Sequence, residues 1–482
     1  MKNATVVRRI RLTPKRIAFC VVAAFAAMSL FGFVNSRYTI HARDYLSDQH
    51  WIGTWATAAQ PSGPNVQSYK NQTLRLIVHT SIGGKKLRVR ISNTYGDQPL
   101  VIDAAHIARR TAGADIDPAS DRALKFSTHP SATVAPRGMI VSDPVDLDVS
   151  ALSDLAISIF LPQPTPVSTV HSLSKQTNYI SSETGDHTAE VKFPVAKTMR
   201  NWPFLTGVDV ATSSRGAAIV AFGSSLTDGD GTTADTNHRF PDLLAARLQQ
   251  AGQTELGMLN EGIIGNRLLN DSPVAAVDGR FGRMLGESGL ARFERDVLEQ
   301  PGVKYIVLGL GINDIAFPGS LTPATEEITA EMIIAAYRQL IARAHRNGLK
   351  IIGTTNDPIE NCFLPLPAPA KPITFYTPEK EIVRQKVNEW ILHSGEFDGV
   401  VDIDQVLRDP NHPTQINPAY DSGDHLHPNN AGTMAEANAF PLGLFGVRQS
   451  RVSTNWKSNS RRRRTRVKVS TEVAPRSFVS AN

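Results

Sequence analysis

Cysteine is almost absent: the 482 residues hold two, Cys20 and Cys362. A disulfide-stapled scaffold and a Cys-based zinc site are thereby excluded. Long apolar runs do not recur, and Gly 34 and Pro 30 fall in no repeat. That excludes a multi-span membrane protein and a collagen-like chain. With 41% hydrophobic and 20% charged residues, wholesale disorder is excluded as well. The stretch Gly229-Asp230-Gly231 is acidic and lacks the Lys of a phosphate-cradling loop. His, Asp and Glu nowhere show the convergent spacing of a zinc or calcium site, so no metal or other cofactor is expected. Positive charge is plentiful only at the ends. Residues 1–16 carry six Lys/Arg and no acid, and residues 448–482 carry ten against one Glu, so the formal +6 of the chain becomes −9 for 17–447. A body of that sign has no broad electrostatic reason to hold nucleic acid.

What is there starts with a basic cluster, Lys2 to Arg16, followed by an uncharged apolar run over 17–34. This is the pattern of a secretion signal or a single N-terminal membrane anchor over 1–36. Either places the rest of the chain outside the cytoplasm, secreted, periplasmic or anchored. The tail 448–482, with Arg461, Arg462, Arg463 and Arg464, has too little apolar surface to fold alone and reads as disordered.

Residues 51–200 read as β. The runs 74–78 and 87–91 flank Gly83-Gly84, a hairpin signal, and 155–161 alternates as a half-buried strand does. An all-β sandwich of jelly-roll type is the economical expectation. Residues 192–215, with Pro194 and Pro203, read as a looser connector. From 215 to 447 the rhythm changes. Strands are expected at 217–222, 305–308, 349–354 and 400–402, and helices at 241–250, 325–347 and 379–393. Such alternation predicts a parallel sheet with helices on both faces. Ligands then bind beyond the carboxyl ends of the strands.

The unusual residues stand at those ends. The first strand runs into Gly223-Ser224-Ser225-Leu226-Thr227-Asp228-Gly229. Asn260-Glu261-Gly262-Ile263-Ile264-Gly265-Asn266 is a second Gly-rich loop. Gly309-Leu310-Gly311-Ile312-Asn313-Asp314 follows the next strand, and Asp421-Ser422-Gly423-Asp424-His425-Leu426-His427-Pro428 stands near the end. A Ser on a tight turn is a weak nucleophile until a base removes its proton. Imidazole does so near neutral pH, and a carboxylate on its other nitrogen fixes the tautomer. A neutral amide and a glycine N–H can then meet the oxyanion.

Together these four blocks resemble the SGNH/GDSL hydrolases, in family order from Phe222 to Pro428. The segment Trp51-Ile52-Gly53-Thr54-Trp55 and the β-rich first part are similar to the arylesterase/acetyl-xylan-esterase-like branch. The resemblance implies a flavodoxin-like three-layer α/β domain. It implies Ser225 as nucleophile, His427 as general base and Asp424 as its orienting partner. It further implies an oxyanion hole from the N–H groups of Ser225 and Gly265 and the amide of Asn313. The family usually carries Asp before the nucleophile, and Ser224 stands there instead. Pro428 and the family pattern favour His427 over His425 as base.

Each residue has a structural alternative. Ser225 could be a turn residue, Asp424 a turn-capping carboxylate, and Asn313 and Asp314 a cap for the next turn. His238 and His412 are read as surface or structural residues, and Trp51 and Trp55 as core aromatics. The six prolines between 356 and 379 form either a rigid surface loop or one wall of the substrate pocket. The expected function is an exported serine esterase. Its partner is a small-molecule or polysaccharide ester, with acetyl on carbohydrate as the leading substrate. A lipase or lysophospholipase is the alternative, and a non-catalytic carbohydrate- or envelope-binding protein a third.

Overall fold

The structure, a computed structural model, describes residues 49–447. The expected leader or anchor and the basic tail lie outside the described residues. Among the described residues no helix is long and apolar enough to cross a membrane.

Residues 50–212 form a strand-rich region of antiparallel sheets. One sheet orders its strands as His50–Ala56, Leu205–Thr212, Gly84–Ser92 and Met139–Val141. The other runs Val195–Met199, Asn178–Ser181, Gln72–His79, Asp154–Leu161, Ala104–Ala112 and Asp115–Ile116. Alternate residues of both meet in one core: Leu74, Leu76 and Val78 from one side, Leu87, Val89, Ile91, Val208 and Val210 from the other.

Two sequence expectations are corrected here. Residues 74–78 and 87–91 do not pair as a hairpin. The first pairs with Asp154–Leu161 and the second with Leu205–Thr212, so the Gly83-Gly84 step carries the chain between sheets. A Cβ at Gly83 would lie 2.5 Å from the Val149 carbonyl oxygen, so the glycine answers to close packing and not to a hairpin turn. Residues 192–215 are also no loose connector, since Leu205–Thr212 lies between two strands of the first sheet.

From Ala217 the chain builds a parallel sheet from β1 (Ala217–Gly223), β2 (Leu256–Asn260), β3 (Val303–Gly309), β4 (Lys350–Thr354) and β5 (Gly399–Val401). Their spatial order is β2-β1-β3-β4-β5. Among its helices are α1 (Ser225–Asp228), α2 (Phe240–Gln250), α3 (Ile312–Ala316), α4 (Ala330–Arg346), α5 (Pro378–His393) and α6 (Asn430–Ala439). Ile219 and Ala221 of β1 face Phe240, Leu244 and Leu248 of α2 and Ala437 of α6. Val220 and Phe222 share the opposite core with Ile333, Tyr337 and Leu340 of α4 and Ile391 of α5. The strand order reverses between β1 and β3, where α/β sheets open a crevice.

The expected helix 325–347 starts later, at Ala330, because the Thr329 side chain accepts the Met332 N–H and caps it there. The edge strand β2 was not anticipated. It bears on the strand-rich region at close range: a Cβ at Gly257 would lie 2.3 Å from the Gly53 carbonyl oxygen, and one at Gly53 would press on Leu259. The core of the strand-rich region is continuous with that beneath the parallel sheet.

Candidate active site

β1 ends at Gly223, where any Cβ would lie 2.0 Å from Thr227 Oγ1, so the strand-to-helix turn can be this tight only with glycine. α1 lasts one turn and is closed by Gly229 at φ +99°. Ser225 opens that turn at the carboxyl end of the sheet. Ser224 is wholly buried, and its hydroxyl has no hydrogen-bond partner among the described residues.

Two hundred residues later, the 421–428 loop brings an imidazole to Ser225. The Ser225 Oγ lies 2.7 Å from His427 Nε2, and His427 Nδ1 lies 2.5 Å from Asp424 Oδ2. The other oxygen, Asp424 Oδ1, accepts the backbone N–H groups of His427 at 2.8 Å and Leu426 at 3.0 Å. Burial works against the charged carboxylate, but the His427 bond and charge and these N–H groups outweigh it and hold Asp424 well below the usual carboxylate range. His427 is moved the other way. Burial lowers its proton affinity, yet Asp424 and the nearby Asp230 raise it above the ordinary imidazole value, with Lys175 opposing. His425 points elsewhere: its Nδ1 lies 2.6 Å from Asp421 Oδ2.

Gly265 sits in the turn closed by the Asn266 N–H on the Ile263 carbonyl at 3.1 Å, with φ +68°. Neither the Ser225 N–H nor the Gly265 N–H finds a protein acceptor among the described residues. Asn313, in the first turn of α3, donates one amide hydrogen to the Asn266 carbonyl at 2.9 Å, which leaves the second free. Its neighbour Asp314 accepts the N–H groups of Leu268 at 2.6 Å and Leu269 at 2.8 Å, tying the 266–269 loop to α3. Burial pushes the Asp314 carboxyl up to about 6 despite those bonds. The structure therefore brings Ser225, Asp424 and His427 into one hydrogen-bonded chain. It places unpaired donors at Ser225 and Gly265 and a half-used amide at Asn313.

The sequence reading missed several residues around this centre. His171, from the strand-rich region, places Nε2 at 2.9 Å from Asp228 Oδ1 and Nδ1 at 3.0 Å from the Ala58 carbonyl oxygen. Both side chains of the His171–Asp228 pair are 1% exposed. Asp228 Oδ2 in turn accepts the Ile264 N–H at 3.0 Å, one residue before Gly265. Lys175 Nζ lies 3.4 Å from Asp230 Oδ1, and Asp230 Oδ2 lies 3.9 Å from His427 Nδ1. Two further acids, Asp357 and Glu436, line a cavity of about 30 Å³ with Leu226, Thr227 and Ile312. Burial, with Asp404 nearby, pushes Asp357 up to about 7, and burial beside Asp357 raises Glu436 well above the carboxylate range. No local motif could have announced His171, Lys175, Asp357 or Glu436, whereas Asp228 and Asp230 follow directly on the nucleophile turn.

The Pro-rich segment contributes a short hairpin, Phe363–Leu364 with Ile373–Thr374. Its Ile359, Cys362 and Phe375 join one apolar cluster with Leu226, Leu285 and Ile312, and half-buried Ile264 and Leu426 pack against it. The segment thus belongs with the loops that carry Ser225, Gly265, Asn313 and His427. Burial pushes the Cys362 thiol up to about 12, so it is no competing nucleophile. Trp55 is buried edge-on against Trp202, and Trp51 lies under the Arg88 guanidinium. Among the described residues no group of three or more His, Cys, Asp or Glu could hold a metal.

Residues 221–435 match the family described as GDSL-like lipase/acylhydrolase. No curated protein matches the chain. Solved structures similar to it include a variant of an acetyl-xylooligosaccharide esterase from Geobacillus, at 21% identity and TM-score 0.34, covering 49% of this chain and 99% of that one. An acetyl xylan esterase shares 17% identity at TM-score 0.33, covering 46% and 96%. A GDSL-like lipase from Bacteroides thetaiotaomicron shares 16% at TM-score 0.31, covering 48% and 88%.

Proposed function

We propose that this chain, a carboxylic ester hydrolase whose residues 221–435 match the GDSL-like lipase/acylhydrolase family, is an exported serine esterase that removes short acyl groups, such as acetyl, from carbohydrate. One observation carries the catalytic reading: a single hydrogen-bonded line runs from Ser225 Oγ through both ring nitrogens of His427 to Asp424.

In the proposed reaction, Ser225 Oγ attacks the ester carbonyl carbon while its proton passes to His427 Nε2. The tetrahedral oxyanion is met by the N–H groups of Ser225 and Gly265 and the free amide hydrogen of Asn313. Asp424, kept ionised by its bond to His427 and by its backbone donors, stabilises the imidazolium that forms. The imidazolium returns its proton to the leaving alcohol as the carbon–oxygen bond breaks, which leaves acyl-Ser225. A water then gives its proton to His427 and attacks the acyl carbon, and the carboxylic acid departs with Ser225 restored.

The short acyl assignment is supported by the small opening at the nucleophile, where Ser225 is only 3% exposed. Export is supported by the basic-then-apolar pattern of residues 1–34. The reading is tested with the full-length purified chain on acetylated sugars, aryl esters of increasing acyl length and phospholipids. Activity should peak at the shortest acyl groups and vanish in Ser225→Ala. Undiminished turnover in that variant would end the catalytic reading. A peak at long chains would replace it with a lipase.

A further inference from the structure

We infer that the strand-rich region takes part in the catalytic centre through Lys175, which with Asp230 sets how readily the His427 imidazole takes up and releases its proton. The inference rests on the proposed role of His427 as general base.

The geometry is built from three loops. Asp230 is fixed to the nucleophile turn, since its N–H donates to the Ser225 carbonyl at 2.9 Å. Its side chain turns toward the base, with Oδ2 3.9 Å from His427 Nδ1, on the same side of the ring as Asp424. One nitrogen of the imidazole therefore faces two carboxylates. Lys175 meets the second of them, its Nζ lying 3.4 Å from Asp230 Oδ1 and 3.1 Å from the Thr232 carbonyl oxygen. It does so from a strained backbone, φ +49°, in a non-glycine residue.

That strain is held by a clamp. The Asp235 N–H donates to the Lys175 carbonyl at 2.8 Å, and Thr177 donates to Asp235 through its N–H at 2.5 Å and its hydroxyl at 2.6 Å. The Gln176 amide also donates to Asn237. The loop 174–177 is thus pinned to 230–237, and the pinning delivers one ammonium to the rim of the site. The clamp itself needs no charge at position 175.

The charged groups facing His427 are Asp424, Asp230, Lys175 and, from the strand end after β4, Asp357. Two carboxylates close to one nitrogen favour the imidazolium. An imidazole that holds its proton too firmly is a poor base for Ser225 and a poor acid for the leaving alcohol. Lys175 offsets Asp230 and keeps the ring usable. Lys175 is a positioning residue in this sense: it acts on His427 through Asp230 and through its own charge.

The test is the pH profile of kcat/KM for p-nitrophenyl acetate hydrolysis by the full chain. In Lys175→Met the acid limb should move up by about half to one pH unit, and in Asp230→Asn it should move down by a similar amount. Lys175→Arg should restore the wild-type limb, and the double variant Lys175→Met/Asp230→Asn should fall near it. A purely structural role would scale the whole profile down and leave the limb in place. A limb unmoved in folded Lys175→Met and Asp230→Asn, or moved the same way in both, overturns the inference. If Lys175→Met does not fold, Lys175→Gln removes the same charge, and an unmoved limb there overturns the inference. Activity that survives in Ser225→Ala would instead remove the underlying reading of the site.

Discussion

The buried His171–Asp228 pair offers the sharpest test of how the strand-rich region supports the site. Consider His171→Phe. An aromatic ring still packs against Trp202, whose ring centre lies 5.7 Å away, although phenyl is larger than imidazole and adds to the destabilisation. Both hydrogen bonds disappear, leaving Asp228 Oδ1 and the Ala58 carbonyl unpaired where the side chains are 1% exposed. Removing one member of a buried ionisable pair costs about 3–5 kcal/mol. With an unfolding entropy near 2 cal/mol/K per residue over roughly 400 residues, that lowers Tm by about 4–6 °C.

The kinetic effect follows from the other oxygen of Asp228, which holds the Ile264 N–H at 3.0 Å. A carboxylate freed on one side can rotate, and the turn bearing Gly265 loosens. Loss of a whole oxyanion donor costs roughly 10²–10³ in turnover, so partial misplacement of one should cost about 10- to 100-fold in kcat with KM nearly unchanged. A thermal melt and steady-state kinetics with p-nitrophenyl acetate measure both. A melt within 1 °C of wild type together with unchanged kcat would refute the argument. The strand-rich region would then be a neighbour of the turn and not its support.

Asn313→Ala should lose about 10²–10³ in kcat because the oxyanion loses a donor, at a stability cost of about 1–3 kcal/mol for the buried Asn266 carbonyl left unpaired. Near-UV circular dichroism checks the fold and p-nitrophenyl acetate the rate. Asp357 has a carboxyl raised to about 7, against 3.8 in the unfolded chain. Its neutral form is the one the fold accepts, so its contribution is present at low pH and lost as pH rises through about 7. Asp357→Asn should therefore be more stable than wild type at pH 8, by the order of 2–4 kcal/mol, and no more stable at pH 4. Urea unfolding at the two pH values reads the difference, and equal effects at both would contradict it.

Much of the catalytic half could be read in the sequence because its chemistry sits where strands end. Ser225 and Asn313 open short helices and His427 lies in a loop, and the glycines and polar residues around all three stand out between apolar runs. The long helix α4 carries a full apolar stripe, while α6, Asn-Ala-Gly-Thr-Met-Ala-Glu-Ala-Asn-Ala, has almost none and went unseen. β2 was missed because Leu256-Gly257-Met258-Leu259-Asn260 lacks the branched residues that mark strands. Gly83-Gly84 misled for a different reason: a local turn signal does not say whether the chain folds back in one sheet or crosses to another. His171 and Lys175 carry no local mark at all. Their meaning comes from Asp228 and Asp230, more than 50 residues further on, and only the folded chain supplies that adjacency.

The seam at Gly53 and Gly257 has an evolutionary corollary. Where the two halves meet, main chain lies almost directly on main chain, without side chains thick enough to act as a cushion. A descendant that discarded the first half would have to repaint the bared flank with polar side chains at once. A descendant that kept it could freely vary the distal ends of that half, far from the seam. Such a junction makes the two parts one packing unit, because removing the first would bare the Gly257 flank of the edge strand to solvent.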